Sequence, residues 1–192
     1  MTRMGSVASS PFSVADLEGM PDDGRRYELV DGQLLVSPAP GLRHQVLALA
    51  LYRLLDDACP EDLFVLAAPF AVRIDASNEV QPDVLVARRD QLMATNLPAA
   101  PVLAVEVLSP TRHLVDLSLK RAAYERMGTP SYWVLDPEAP DLLVLELDST
   151  EAYREIARVS GGDAFTATRP FGVRVVPAAL LERLGRTPES AG

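Results

Sequence analysis

The sequence predicts an α/β (α+β) protein with a central mixed β-sheet flanked by helices. Three observations carry that expectation. Strand-like runs rich in branched and aromatic residues alternate with helical segments in the order helix, three strands, helix, strand. An Asp-Gly pair between two alternating runs marks a hairpin near the start. Hydrophobic residues fill 48% of the 192 positions, enough for one sizeable core.

Taken in order, residues 1–10 are small and polar and read as a flexible N-terminus. FSVADLEGM follows as a short helix capped by Ser13. RYELVDGQLLVS alternates around Asp31-Gly32, the hairpin. Leu42 to Ala58, LRHQVLALALYRLLDDA, predicts a helix of about four to five turns, apolar on most faces and therefore well buried. Three strands are expected next, in LFVLAAPFAVRI, VQPDVLVA and APVLAVEVLS. Ser109-Pro110-Thr111 starts a second long helix and Gly128 stops it. SYWVLDP is a further strand, with Trp133 in the core, and LLVLELD and YREIARVS extend the sheet. PAALLERL closes as a short helix, so that residues 11–184 form one domain and 185–192, GRTPESAG, a disordered tail.

Several function classes are excluded by composition. No apolar run approaches the roughly 18 residues that cross a bilayer, and MTRMGSVASSPFS lacks a signal-peptide core. The single Cys59 excludes an internal disulfide, and no Cys/His metal spacing is present, so the expected compartment is the cytoplasm. Cys59 has no activating neighbour in sequence and reads as inert, and His113 as helix surface. GxSxG, P-loop, GxGxxG and HExxH motifs are absent. A net charge of −9 argues against a protein coated in basic patches.

The chemistry concentrates in a few acids and one base. Asp83 and Glu106 each interrupt an otherwise apolar strand, and acids are rarely buried unless paired or bound to metal. Of the 18 Lys and Arg positions, only Lys120 is a lysine. From Glu106 to Ser109 a strand rises roughly 10 Å, and from Thr111 to Lys120 a helix returns roughly 13 Å. Lys120 thus comes back to about the level of Glu106, with Asp116 and Tyr124 four residues to either side on one helical stripe. Two carboxylates beside an ammonium suit Mg²⁺ or Mn²⁺ and phosphoryl chemistry. Clustered acids also repel, so at least one of them is expected to have a raised pKa.

The motifs YELVDGQLLVSPAP followed by His44, then QPDVLV, VEVLSPTR, Asp116, Lys120 and Tyr124, and finally YWVLDP, occur in one ordered set. In this the chain resembles the Uma2 family, within the PD-(D/E)XK nuclease-like superfamily, from about Tyr27 to Pro137. The resemblance implies a restriction-endonuclease-like fold, with Glu28, Asp83, Glu106 and Lys120 as catalytic residues and Glu28, Asp83 and Glu106 holding metal. It departs from the wider superfamily at one point. The usual lysine lies two residues after the second acid, where this chain has Leu108, and Lys120 on the following helix takes its place. On the residues alone, Glu28 reads equally as a polar hairpin residue, and His44 either as a core histidine or as a group orienting a ligand or water.

Two functions follow as expectations. The first is a metal-dependent endonuclease acting on nucleic acid, DNA above all, with Arg25, Arg26, Arg112 and Arg121 flanking the site in sequence. The second is a catalytically silent module that keeps the fold and works by association, as a homodimer or regulator, away from membranes.

Overall fold

A computed structural model of the chain describes residues 11–109 and 115–185. The segments expected to be a flexible N-terminus (residues 1–10) and a disordered tail (residues 186–192), and the positions Pro110, Thr111, Arg112 and His113, lie outside them. The chain opens on α1 (Val14–Leu17), where the backbone N–H of Ser13 donates to the Asp16 carboxylate at 2.7 Å. Strands β1 (Arg26–Val30) and β2 (Gln33–Ser37) form the expected hairpin. Its two turn residues, Asp31 (φ 50°) and Gly32 (φ 74°), both take the left-handed conformation that a two-residue primed turn needs. Helix α2 (Leu42–Asp56) follows.

The next stretch folds differently from expectation. LFVLAAPFAVRI is not one strand but two, β3 (Leu63–Ala67) and β4 (Ala71–Asp75). VQPDVLVA likewise divides between β5 (Asn78–Val80) and β6 (Val84–Arg88). Each break holds a proline, Pro69 and Pro82, which has no N–H to give a ladder. At each break the chain leaves one sheet for another.

After β6 come a 3-10 turn at Arg89–Gln91, β7 (Asn96–Leu97) and β8 (Leu103–Val107). Helix α3 (Val115–Met127) ends at Gly128, whose φ of 75° closes it as expected. Strands β9 (Ser131–Asp136), β10 (Asp141–Leu147) and β11 (Tyr153–Ser160) extend the sheet. A small hairpin, β12 (Phe165–Ala167) and β13 (Val173–Val175), precedes the closing segment, which is a 3-10 helix over Pro177–Gly185.

The strands form a six-stranded sheet, β11-β10-β9-β8-β6-β3, and a five-stranded sheet, β2-β1-β5-β4-β7. The larger sheet is mixed: β8 and β9 are parallel, joined through α3, and the other pairs are antiparallel. Alternation along its strands makes two cores. Val84, Val86, Leu103, Val105, Trp133 and Leu135 point to the side covered by α2. Leu85, Ala87, Ala104, Tyr132 and Val134 point to the other, where Ala123 and Tyr124 of α3 and Val30 of β1 meet them. Helix α2 is less buried than its composition suggests. Leu47, Leu51 and Leu55 are fully covered, but Leu42 and Leu49 on other faces are 71% and 52% exposed.

Candidate active site

The site begins where a ladder ends. Antiparallel pairing of β6 with β8 reaches Val84 opposite Val105, and Pro82 then turns the chain away. The next N–H along β8, that of Val107, donates instead to Asp83 Oδ2 at 2.8 Å. Asp83 is therefore not a strand-interior residue, as expected, but the cap on a broken ladder. Its placement follows from the Pro-Asp pair that breaks it.

Glu106 lies on β8 and faces the second core, together with Ala104 and Leu108. There α3 presents Lys120, whose Nζ stands 2.9 Å from Glu106 Oε2 and 2.8 Å from Glu28 Oε1. One turn later Tyr124 donates its hydroxyl proton to Glu106 Oε1 at 2.9 Å. Glu28, from β1, also accepts the backbone N–H of Gln81 at 2.7 Å. It is 1% exposed, so it is no surface hairpin residue. His44, in the first turn of α2, places Nε2 3.1 Å from Asp83 Oδ2. Asp116 belongs to α3, but its side chain falls outside the described residues.

Two further groups complete the cluster. Arg26 of β1 reaches Asp83 Oδ1 at 2.9 Å and the Gln81 carbonyl at 3.0 Å. In sequence it was one arginine among several flanking the motif. Arg25 instead pairs with Asp23, and Arg121 reaches toward the Tyr153 carbonyl, so neither joins the site. Tyr132 of β9 is the other group. It looked like one more aromatic core residue, and no spacing in the sequence pointed to its hydroxyl.

Arg26, Glu28, His44, Asp83, Glu106, Lys120 and Tyr132 line a cavity of about 110 Å³ together with Ser37 to Gly41. The charges inside it shape one another. Burial pushes the Glu106 carboxyl up to about 7, with Lys120 opposing and Asp83 and Glu28 adding to the rise. Burial acts the same way on Asp83, but the His44 hydrogen bond and the Arg26 and Lys120 charges outweigh it and hold that acid well below the usual range. Lys120, for which burial favours the neutral form, is kept charged by Glu106, Glu28 and Asp83, its pKa raised. Burial, then Glu106, pushes the Tyr132 phenol well above its ordinary value, so it stays a neutral hydroxyl that can donate a hydrogen bond.

The donor chemistry suits a hard divalent cation, since Glu28, Asp83 and Glu106 offer only carboxylate oxygens. As folded, however, cations of the protein stand at these oxygens. Among the described residues no three His, Cys, Asp or Glu side chains are gathered closely enough to hold a metal together. Metal binding would require Arg26 or Lys120 to give up oxygens they now hold.

Comparison with known proteins agrees with the fold. The family Uma2, described as "Putative restriction endonuclease", matches residues 14–179. No curated protein matches the chain. A solved structure, that of "a putative nuclease belonging to DUF820" from Anabaena variabilis ATCC 29413, is similar with a TM-score of 0.76 at 16% identity. The similarity covers 91% of this chain and 99% of that one.

Proposed function

Because the chain belongs to the Uma2 family, described as "Putative restriction endonuclease", we propose that it hydrolyses phosphodiester bonds of DNA with Mg²⁺ or Mn²⁺ at the Glu28, Asp83, Glu106 and Lys120 cluster. One observation carries the proposal. A lysine only 6% exposed sits between two carboxylates on the wall of a cavity, with a third acid beside them. Burying such charges costs several kcal/mol per ion, roughly, and apolar residues would serve folding as well or better.

Asp83 and Glu106, with Glu28, would hold the cation. When bound, it supplies a water of lowered pKa and positive charge beside the phosphoryl oxygens. Lys120 stays protonated and steadies the negative charge that grows on the phosphorus group, acting as a donor held in place by Glu28 and Glu106. Tyr124 fixes the Glu106 carboxylate, and His44 fixes that of Asp83. The acidic overall charge is offset locally by Lys120, Arg26 and the metal together. The same reading has the protein acting in the cytoplasm as a homodimer, with the exposed Leu42 and Leu49 of α2 as apolar surface a second copy would cover. Sedimentation equilibrium checks that point. No helix among the described residues is long and apolar enough to cross a membrane.

The test is a cleavage assay on single- and double-stranded DNA with wild type, Lys120→Arg and Asp83→Ala. Lys120→Arg keeps the charge but not the shape and reach, and cleavage should fall by about 100-fold or more. Asp83→Ala should abolish it. Cleavage that survives in both variants belongs to another site or a contaminant. If none of the three cleaves with any metal or substrate, the fold serves a silent binding module.

A further inference from the structure

Among the described residues, three buried side-chain polar atoms lack a hydrogen-bond partner: His44 Nδ1, Thr129 Oγ1 and Tyr132 Oη. Two of these residues, His44 and Tyr132, line the same cavity as the acid cluster. A buried hydroxyl without a partner is destabilising, and phenylalanine would fill the same space without that cost. The ring itself is held independently of its hydroxyl. It packs between Tyr124 and Tyr153, with ring centroids 5.1 Å and 5.8 Å away. Folding therefore gives no reason for the oxygen.

The cationic donors on the cavity wall are occupied. Lys120 is engaged by Glu28 and Glu106, and Arg26 by Asp83 and the Gln81 carbonyl. Tyr124, which packs against the Tyr132 ring outside the cavity lining, is engaged by Glu106. The Tyr132 hydroxyl holds no bond that a ligand would have to break, although the oxygen is itself buried and a ligand must reach it through the cavity that Tyr132 lines. The carboxylates around it are acceptors, so among the side chains facing the cavity this O–H is a donor that no protein group holds, and His44 Nδ1 is the other cavity atom without a partner.

We propose that the Tyr132 hydroxyl is a further substrate-binding group of the site, donating a hydrogen bond to a non-bridging phosphoryl oxygen of the nucleic acid. The proposal rests on the nuclease reading above. It gives Tyr132 a part in charge stabilisation beside Lys120, from the adjacent strand.

Tyr132→Phe removes the oxygen alone. Three measurements decide the matter: the melting temperature of the free protein, kcat and KM for DNA cleavage with Mg²⁺, and the affinity for thymidine 5′-monophosphate by titration calorimetry with Mg²⁺. The expected result is an unchanged or raised Tm and a kcat lower by roughly 100-fold, with KM raised on the scale of the lost hydrogen bond. Nucleotide affinity should fall about 3- to 10-fold, the scale of one hydrogen bond. A lower Tm, or a chain that does not fold, would make the hydroxyl a structural group and overturn the proposal. A variant that cleaves and binds like wild type overturns it too, while leaving the nuclease reading in place. A wild type that neither cleaves DNA nor binds the nucleotide removes both.

Discussion

Replacing Lys120 with methionine tests the electrostatics of the cluster without any assumption about activity. Methionine keeps an unbranched side chain of similar length and removes the charge that lies 2.8 Å from Glu28 and 2.9 Å from Glu106. Breaking a buried pair in this way costs about 3–5 kcal/mol. Here the cost should depend on pH. Glu106 holds its proton to about 7 in the folded protein, against 4.5 for an ordinary glutamate. The proton thus favours folding at acid pH, and that contribution is lost as pH rises through 7. In wild type, Lys120 makes the loss bearable. Without it the Glu106 pKa rises further, and each pH unit above 7 adds about 1.4 kcal/mol to the cost of the substitution. Between pH 5.5 and 8.5 the destabilisation should therefore grow by about 2 kcal/mol. Urea denaturation of wild type and Lys120→Met at the two pH values measures it. Equal destabilisation at both would refute the idea that Glu106 titrates near neutrality against Lys120.

Other expectations are simpler to state. Mn²⁺ should bind more tightly at pH 8 than at pH 6 and release up to about one proton, because a metal-bound Glu106 must be ionised. Calorimetry in two buffers of different ionisation heat measures this, and affinity that ignores pH would count against Glu106 as a ligand. Gly32→Ala and Gly128→Ala place alanine at nearly the same φ, 74° and 75°. Each should cost about 1 kcal/mol for that conformation. Gly32→Ala should cost more, since its Cβ would lie 2.7 Å from Pro11 Cβ, whereas Gly128 has open space. Matching losses in thermal melts would show that Pro11 simply moves aside.

How much of the fold could be read beforehand depends on how local each signal is. The Asp31-Gly32 turn, the Ser13 start and the Gly128 stop are decided within a few residues, and they stand where expected. The two divided strands are a different case. In LFVLAAPFAVRI and VQPDVLVA the apolar run suggested continuity, while the prolines inside them ended one ladder and let the chain enter the other sheet. The prolines were visible in the sequence. What was not visible was a second sheet for the chain to enter, because sheet membership is fixed by partners far along the chain. The exposed faces of α2 have the same origin, since a helix rich in leucine is covered only where other elements reach it.

The same distinction governs the site. Glu106, Lys120 and Tyr124 belong to one strand-helix unit, so strand rise and helix rise were enough to bring them to one level. Asp83 was legible as an unusual acid but not as a cap, since its role depends on the unpaired N–H of Val107. Arg26 is 57 residues from Asp83 and meets it only because β1 crosses beside the break at Gln81. Tyr132 is the least legible of all. Its ring behaves as any core aromatic, and only the missing partner of one oxygen sets it apart. Where sequence reasoning passes over a residue as ordinary core, an unsatisfied polar atom inside a cavity is a sign that the residue answers to something besides packing. In a site already crowded with mutually neutralising charges, such an atom is one that a ligand would engage without displacing a partner of its own.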